Sequence, residues 1–493
     1  MPDSSLLESA TLLDRGPVIS PDYAGVTVPA NFAPINFRVL EPGDAYLVRI
    51  AGDSGSPILV SSPSPRIEIP IRRWRGLLEG NRGKDLRVEI AVRTGGDWQR
   101  FAPLKVSVAD SEIDRYLVHR QITPIYNLWR DVGLYQRDLT GWRQRTVLHG
   151  SHFSWGCTNC HSFSANRTDR MTVGVRSSAH GSSTLMVDKG RIEPLGTGWT
   201  YTSWHPGGNV AAYSSNKVRQ FFHTARQEVR DVVDLDSDLM IFDARTHKVE
   251  APPQLAEQDR LETYPAWSAD GKTLYFCSAP ILWKDRDAMP PERYDEVRYE
   301  LRSASYDPDT GKWGPAQTVI SANDAGKSIL LPRPSPDGRW LIYCQTDYGC
   351  FPVLQPSSDL WLLDLRNGKR RALKELNSEW SESWHSWSHD GRWVAFSSKR
   401  LDGLFTRTFF SYVDEAGSFS KPVILPQRDP DFYDGYLRTF SVPELVTEPV
   451  PVSQRALARA ARSTRKTKLE LPEVSMTAKK GEATSPWRQG GAR

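Results

Sequence analysis

Two-residue alternation of apolar and polar positions dominates the first quarter of the chain. Ile35, Phe37 and Val39 fall on one face of an extended segment, and Asn36 and Arg38 on the other. Leu86, Val88, Ile90 and Val92 alternate with Arg87, Glu89 and Arg93 in the same way. Between them lie apolar stretches at 46–50, 58–60 and 67–71, separated by Gly, Pro, Ser and Asp clusters. Short strands at this spacing predict a β-sandwich of fibronectin III or immunoglobulin type over residues 23–112. Residues 1–22 show no strong period and read as a flexible tail, and 113–132 as a linker.

The second half carries an internal repeat. Its markers are Trp204-His-Pro-Gly-Gly, Trp267-Ser-Ala-Asp-Gly, Pro334-Ser-Pro-Asp-Gly and Trp387-Ser-His-Asp-Gly, each followed by an apolar strand. A second strand ending in Asp follows at 238–243, at 359–364 and, more loosely, at 409–414, and then a polar turn and a last strand. Strand, Asp-Gly turn, strand, long loop, strand, turn, strand is the order of one propeller blade. Residues 157–200 read as a further blade without the Asp-Gly box. Segments 133–138 and 143–148, completed by 436–445, read as another that joins the two ends of the repeat region. The expected architecture is therefore all-β: a sandwich, then a six-bladed β-propeller over 133–447, then a basic, largely disordered tail over 448–493.

The most specific chemical signal is Cys157-Thr-Asn-Cys160-His161. In Cys-x-x-Cys-His, two thiols bond the haem vinyl groups and the adjacent imidazole ligates iron. Read from its residues, the motif predicts one covalent haem c with His161 as proximal ligand; a disulfide and a metal half-site remain alternatives. Strand direction within a blade puts Cys157 and Cys160 on the face that carries the loops between second and third strands. His223, beside Phe221 and Phe222, and His180 lie on that face and are the candidate distal ligands, in that order. His205 and His389 belong to turns of the opposite face, Met186 reads as a packing residue, and His149 and His152 stay candidates although closer in sequence than a distal ligand usually is.

The repeat markers, Tyr135-Gln-Arg-Asp-Leu, the Cys-x-Asn-Cys-His-Ser-Phe motif and Gln220-Phe-Phe-His223 together resemble TolB-like β-propeller proteins of the bacterial envelope, over most of residues 30–445. The resemblance implies export and haem attachment, and no reaction. The function expected is thus an exported monohaem protein acting in electron transfer or haem-dependent redox sensing. The alternative is a non-catalytic envelope scaffold that binds a protein or glycan, with Cys157 and Cys160 as a disulfide.

Composition adjusts this picture in a few places. Apolar residues make up 39%, enough for a sizeable core. The formal charge is +4, but residues 455–493 hold ten Lys or Arg against three acids, so the rest is slightly acidic and carries no nucleic-acid footprint. Ala456, Leu457, Ala460 and Ala461 give 453–468 helical character, for contact with anionic surfaces or as a solvated tail. No apolar run is long enough to span a membrane. The start shows no basic and apolar leader, so the expected periplasmic or envelope location requires one outside this sequence. The long loops 281–299, with Trp283, Lys284, Asp285 and Arg286, and 347–358, with Tyr348, Cys350 and Phe351, are candidate partner surfaces. Gly52-Asp-Ser-Gly-Ser-Pro57 imitates a protease nucleophile segment but lacks an upstream His, since the first is His119. Glu379, Glu382 and His385 read as a polar loop rather than a metal site.

Overall fold

The computed structural model describes residues 5–123, 131–224, 226, 228–285 and 288–472. Arg286 lies outside the described residues. The N-terminal module joins a seven-stranded sheet to a three-stranded one, Ile19–Ser20, Phe37–Val39 and Arg66–Ile67. The larger sheet is mixed: Thr11–Leu12 runs parallel to Asp97–Arg100, and Leu104–Val108 parallel to Thr27–Val28. A helix, Ile71–Gly80, begins where the apolar stretch 67–71 ends. Ile71, Trp74, Leu77 and Leu78 recur at helical spacing, and Trp74, Leu77 and Leu78 are buried. The Trp74 indole donates to the carbonyl of Phe32 at 3.1 Å. The fibronectin-like or immunoglobulin-like sandwich is thereby corrected, because parallel pairs and a buried helix do not belong to that antiparallel design.

Six four-stranded antiparallel sheets follow. The first takes Tyr116–Ile122, Gly133–Asp138 and Gln144–His149 from early in the chain and Thr439–Val446 from late. The other five are consecutive meanders, beginning with Cys157–Ser164, Thr200–Trp204, Arg260–Trp267, Ser328–Pro334 and Glu382–Trp387. Ladders run within each sheet, and among the described residues no sheet closes on itself and no ladder joins one sheet to the next. The expected six-bladed propeller, and the TolB-like resemblance that rested on it, are corrected to this set of open sheets.

The repeat markers have a common local cause. In 268–273, 335–340 and 388–393 a serine hydroxyl donates to an aspartate two residues on and accepts the N–H of the next strand's first residue. The glycine after each aspartate sits at φ of 70° or 71°, a conformation glycine adopts without strain. These turns launch Thr273–Pro280, Trp340–Thr346 and Trp393–Ser398, whose apolar residues enter the core.

The N-terminal module packs directly on the sheets. Phe32 meets Phe410 edge-on at 5.5 Å, the Asn36 amide donates to the carbonyl of Arg428, and Asp431 pairs with both Arg38 and Arg66. In the stretch after 448, helix Gln454–Ala461 is capped by Ser453 and buries Leu457, Ala458 and Ala461 against Val147, Phe153 and Leu185. Thr467 and Glu470 then bridge to the second and third sheets. Among the described residues no helix is long and apolar enough to cross a membrane.

Candidate functional site

Each of the six sheets places one non-glycine residue in the left-handed region at the wall of a single chamber. They are Cys160, Tyr201, Tyr264, Leu331, Trp384 and Val442, with φ between 24° and 54°. Strand pairing breaks register beside every one of them, so each is the turning point of a β-bulge. A bulge leaves one residue unpaired and re-aims its neighbours. Six of them turn six strands toward about 70 Å³ of shared space. Tyr264, Leu331 and Val442 each precede a proline, which cannot donate to a ladder and is tolerated in a strand at a bulge.

Three walls differ in chemistry. One is aromatic: Tyr201 lies 4.1 Å from Tyr264 and 5.9 Å from Trp384, and Phe351 meets Trp384 edge-on at 5.9 Å. The Tyr264 hydroxyl donates to the carbonyl of Cys350 at 2.6 Å. A second wall is cationic. Arg120 donates from Nε to the Ser441 hydroxyl at 3.0 Å, and Arg333 pairs with Glu444 at 3.2 Å. The third is His161, 6% exposed, whose Nε2 has no hydrogen-bond partner among the described residues. Burial, then the Arg120 guanidinium, lowers its pKa to about 3, only partly opposed by backbone hydrogen bonds at Val118 and Val442. The imidazole is neutral throughout the physiological range.

The structure separates the residues assigned to haem. Cys160 and His161 line the chamber; Cys157 is buried outside it, opposite Arg176 in the ladder. Strand Cys157–Ser164 bulges at Cys160, and Cys157 and Cys160 form no disulfide. All five cysteines are free thiols, and burial raises the pKa of both Cys157 and Cys160. His223 lies 4.0 Å from Asp231, and Phe221 packs on Tyr294 while Phe222 points to solvent. His180 bonds the Ser154 hydroxyl at 3.0 Å. Neither histidine reaches the chamber that His161 lines. Among the described residues no group of three or more His, Cys, Asp or Glu is placed to hold a metal. Haem c, the redox function and the disulfide are corrected accordingly.

Five other histidines are engaged elsewhere. His149 pairs with Asp131, His152 with Gln454, His205 with the carbonyl of Gly271, and His389 with Asp114. His385 faces the carbonyl of Ile342, and Glu382 is held by Ser378, Ser398 and Arg400. Ser54, in the protease-like segment, is fixed by the Asn81 amide.

Loops 281–299 and 347–358 meet next to His223. Tyr348 donates to Asp231 at 2.5 Å, and the Arg226 guanidinium lies over the Tyr348 face at 4.5 Å. Burial raises the Asp231 pKa to about 6, against the Val232 N–H and Arg226. The folded state therefore holds this proton to higher pH than the unfolded chain does. Stability from Asp231 is present below about pH 4 and lost as pH rises through about 6, by up to about 3 kcal/mol. We expect Asp231→Asn to gain on wild type by that amount between pH 4 and pH 7. Paired urea-unfolding curves at the two pH values check it, and a pH-independent difference contradicts it.

No family model matches the chain, and no curated protein matches it. Among solved structures, an oligogalacturonate lyase in complex with manganese aligns at 13% identity over 62% of this chain and 72% of its own, with a TM-score of 0.36. The oligogalacturonate lyase of Vibrio parahaemolyticus aligns at 12% identity over 63% and 74%, TM-score 0.36. The β-propeller domain of the Trilobed protease from Pyrococcus furiosus aligns at 8% identity over 86% and 100%, TM-score 0.34. Likenesses at these TM-scores carry no argument about this chain.

Proposed function

We propose that this protein is a binding scaffold of the periplasm or cell envelope whose chamber receives a chemical group from a protein or glycan partner. The observation that supports this reading is the convergence of six left-handed, non-glycine residues on one chamber. Each such residue costs on the order of 1–3 kcal/mol, and strain of this kind clusters where a fold clamps a ligand. The aromatic wall supplies apolar contact, and His161 Nε2 a buried polar position with nothing to bond.

The test is a thermal-shift screen of glycans and peptides, repeated on His161→Leu, which fills the chamber without a polar atom. Ligands that raise the melting temperature of wild type are expected to lose at least about tenfold in affinity, the worth of one buried hydrogen bond. A ligand held equally well by His161→Leu overturns the chamber as the binding site. Fractionation of the native host tests the envelope location.

A further inference from the structure

Apart from the chamber, we infer that a second pocket takes the ammonium end of a lysine side chain from a basic partner protein. It lies between strand Arg230–Asp243 and the loops 281–299 and 347–358. The rings of Trp283, Tyr294, Tyr299 and Tyr348 line it, with Val297 and a single carboxyl, Asp234. Asp234 is 2% exposed. Asn216 donates to its Oδ2, and Oδ1 has no hydrogen-bond partner of ordinary geometry among the described residues. Burial raises the Asp234 pKa to about 7, and Asn216, Ser237 and the Asp236 N–H offset that only in part. A buried carboxylate with an open acceptor calls for a donor that also brings positive charge.

The lining decides which cation. One carboxyl among aromatic faces offers too few oxygens for a divalent metal. It suits an organic ammonium, which bonds the oxygen and lies against the negative faces of the rings. The arginines nearby are already matched. Arg226 and Arg298 lie over Tyr348 at 4.5 and 5.9 Å. Arg226 pairs with Asp231 at 3.9 Å and Asp295 at 3.2 Å, and Arg298 donates to the Asp295 carbonyl at 2.7 Å. That leaves Trp283, Tyr294 and Tyr299 to meet the incoming charge. Tyr294 and Gly349, partly exposed, form the mouth, and Asp234 lies behind them. The ligand must therefore be slender and apolar up to a charged end, which describes the four-carbon stem and ammonium of lysine. An amino sugar would bury hydroxyls against valine and aromatic carbon, and the planar fork of arginine brings five donors to one open oxygen.

Titration of the full-length protein with Nα-acetyl-lysine amide, its Nε-acetylated form, Nα-acetyl-arginine amide and glucosamine, followed by NMR of the ligand, tests this. The lysine amide is expected to bind at least tenfold more tightly than each of the other three. Asp234→Asn, which keeps the shape and removes the charge, is expected to abolish that preference. Tyr294→Leu, at the mouth, is expected to weaken lysine binding several-fold, and melting curves show that both variants fold. Equal binding of lysine and its Nε-acetylated form, or binding of neither, overturns the ammonium site. Preference for glucosamine or for the arginine amide overturns lysine as the ligand, and an unchanged preference in a folded Asp234→Asn overturns the role of that carboxyl. Asp234 does not line the chamber, so the result with His161→Leu stands or falls separately.

Discussion

Replacing Glu382 by alanine is expected to cost about 3–5 kcal/mol at neutral pH, because it leaves a buried guanidinium without its counter-charge. The Glu382 carboxylate is fully buried. It accepts from the Ser378 hydroxyl at 2.7 Å, the Ser378 N–H at 3.1 Å, the Ser398 hydroxyl at 2.8 Å and Arg400 at 3.2 Å. Arg400 is itself clamped over Phe409 at 4.6 Å. Alanine removes every acceptor at once and opens a void among the donors. Glu382→Gln keeps the shape and is expected to cost less, about 1–3 kcal/mol. Burial outweighs Arg400 in raising the Glu382 pKa, so the folded state favours its protonated form and wild type gains on the glutamine variant as pH falls. Urea unfolding followed by tryptophan fluorescence measures all three proteins, and an unchanged midpoint in Glu382→Ala contradicts the account.

Trp393→Ala is the second large effect, expected at about 3–5 kcal/mol. The side chain has no solvent exposure, lies 5.4 Å from the Tyr412 ring and donates from Nε1 to the Ser111 hydroxyl at 3.2 Å. Trp393 belongs to the sixth sheet, whereas Ser111 directly follows the N-terminal module, so the indole joins the two. Trp393→Phe keeps most of the apolar contact and is expected to cost distinctly less, while Ser111→Ala loses only the hydrogen bond, about 1 kcal/mol. Calorimetry checks the order. If Ser111→Ala and Trp393→Ala cost the same, packing is not the cause.

How much of this was legible in the residues depends on whether the cause is local. The turns at Asp270, Asp337 and Asp390 were, because serine, aspartate and glycine each do a short-range job that the letters state. Helix Ile71–Gly80 was legible too, at Ile71, Trp74, Leu77 and Leu78, but lay inside a region already read by two-residue alternation. Strand Tyr116–Ile122 was hidden in a presumed linker, since its partner Thr439–Val446 lies more than three hundred residues away. The motif Cys157 to His161 misled because the letters do not state backbone shape. The bulge at Cys160 puts Cys160 and His161 on the chamber wall and leaves Cys157 outside it.

The chamber was the least legible part. Cys160, Leu331 and Val442 share no chemistry, only a backbone conformation and a place beside a register shift. One signal was present: Pro265, Pro332 and Pro443 stand inside strands, where proline marks a bulge. The other three bulges, at Cys160, Tyr201 and Trp384, have no such marker. Their convergence is a property of six sheets assembled, and no window of sequence contains it.

The ladder that brings Thr439–Val446 onto Tyr116–Ile122 also fixes how the molecule answers to force. Tyr116 pairs with Val446 and Ile122 with Thr439, so the incoming and outgoing chain leave this ladder at the same end. A pull applied at the two termini and transmitted to this point peels the strands from that end, one pair after another, and never loads the bonds side by side. The helix Gln454–Ala461, anchored on the first and second sheets, then bears the tension before the ladder does.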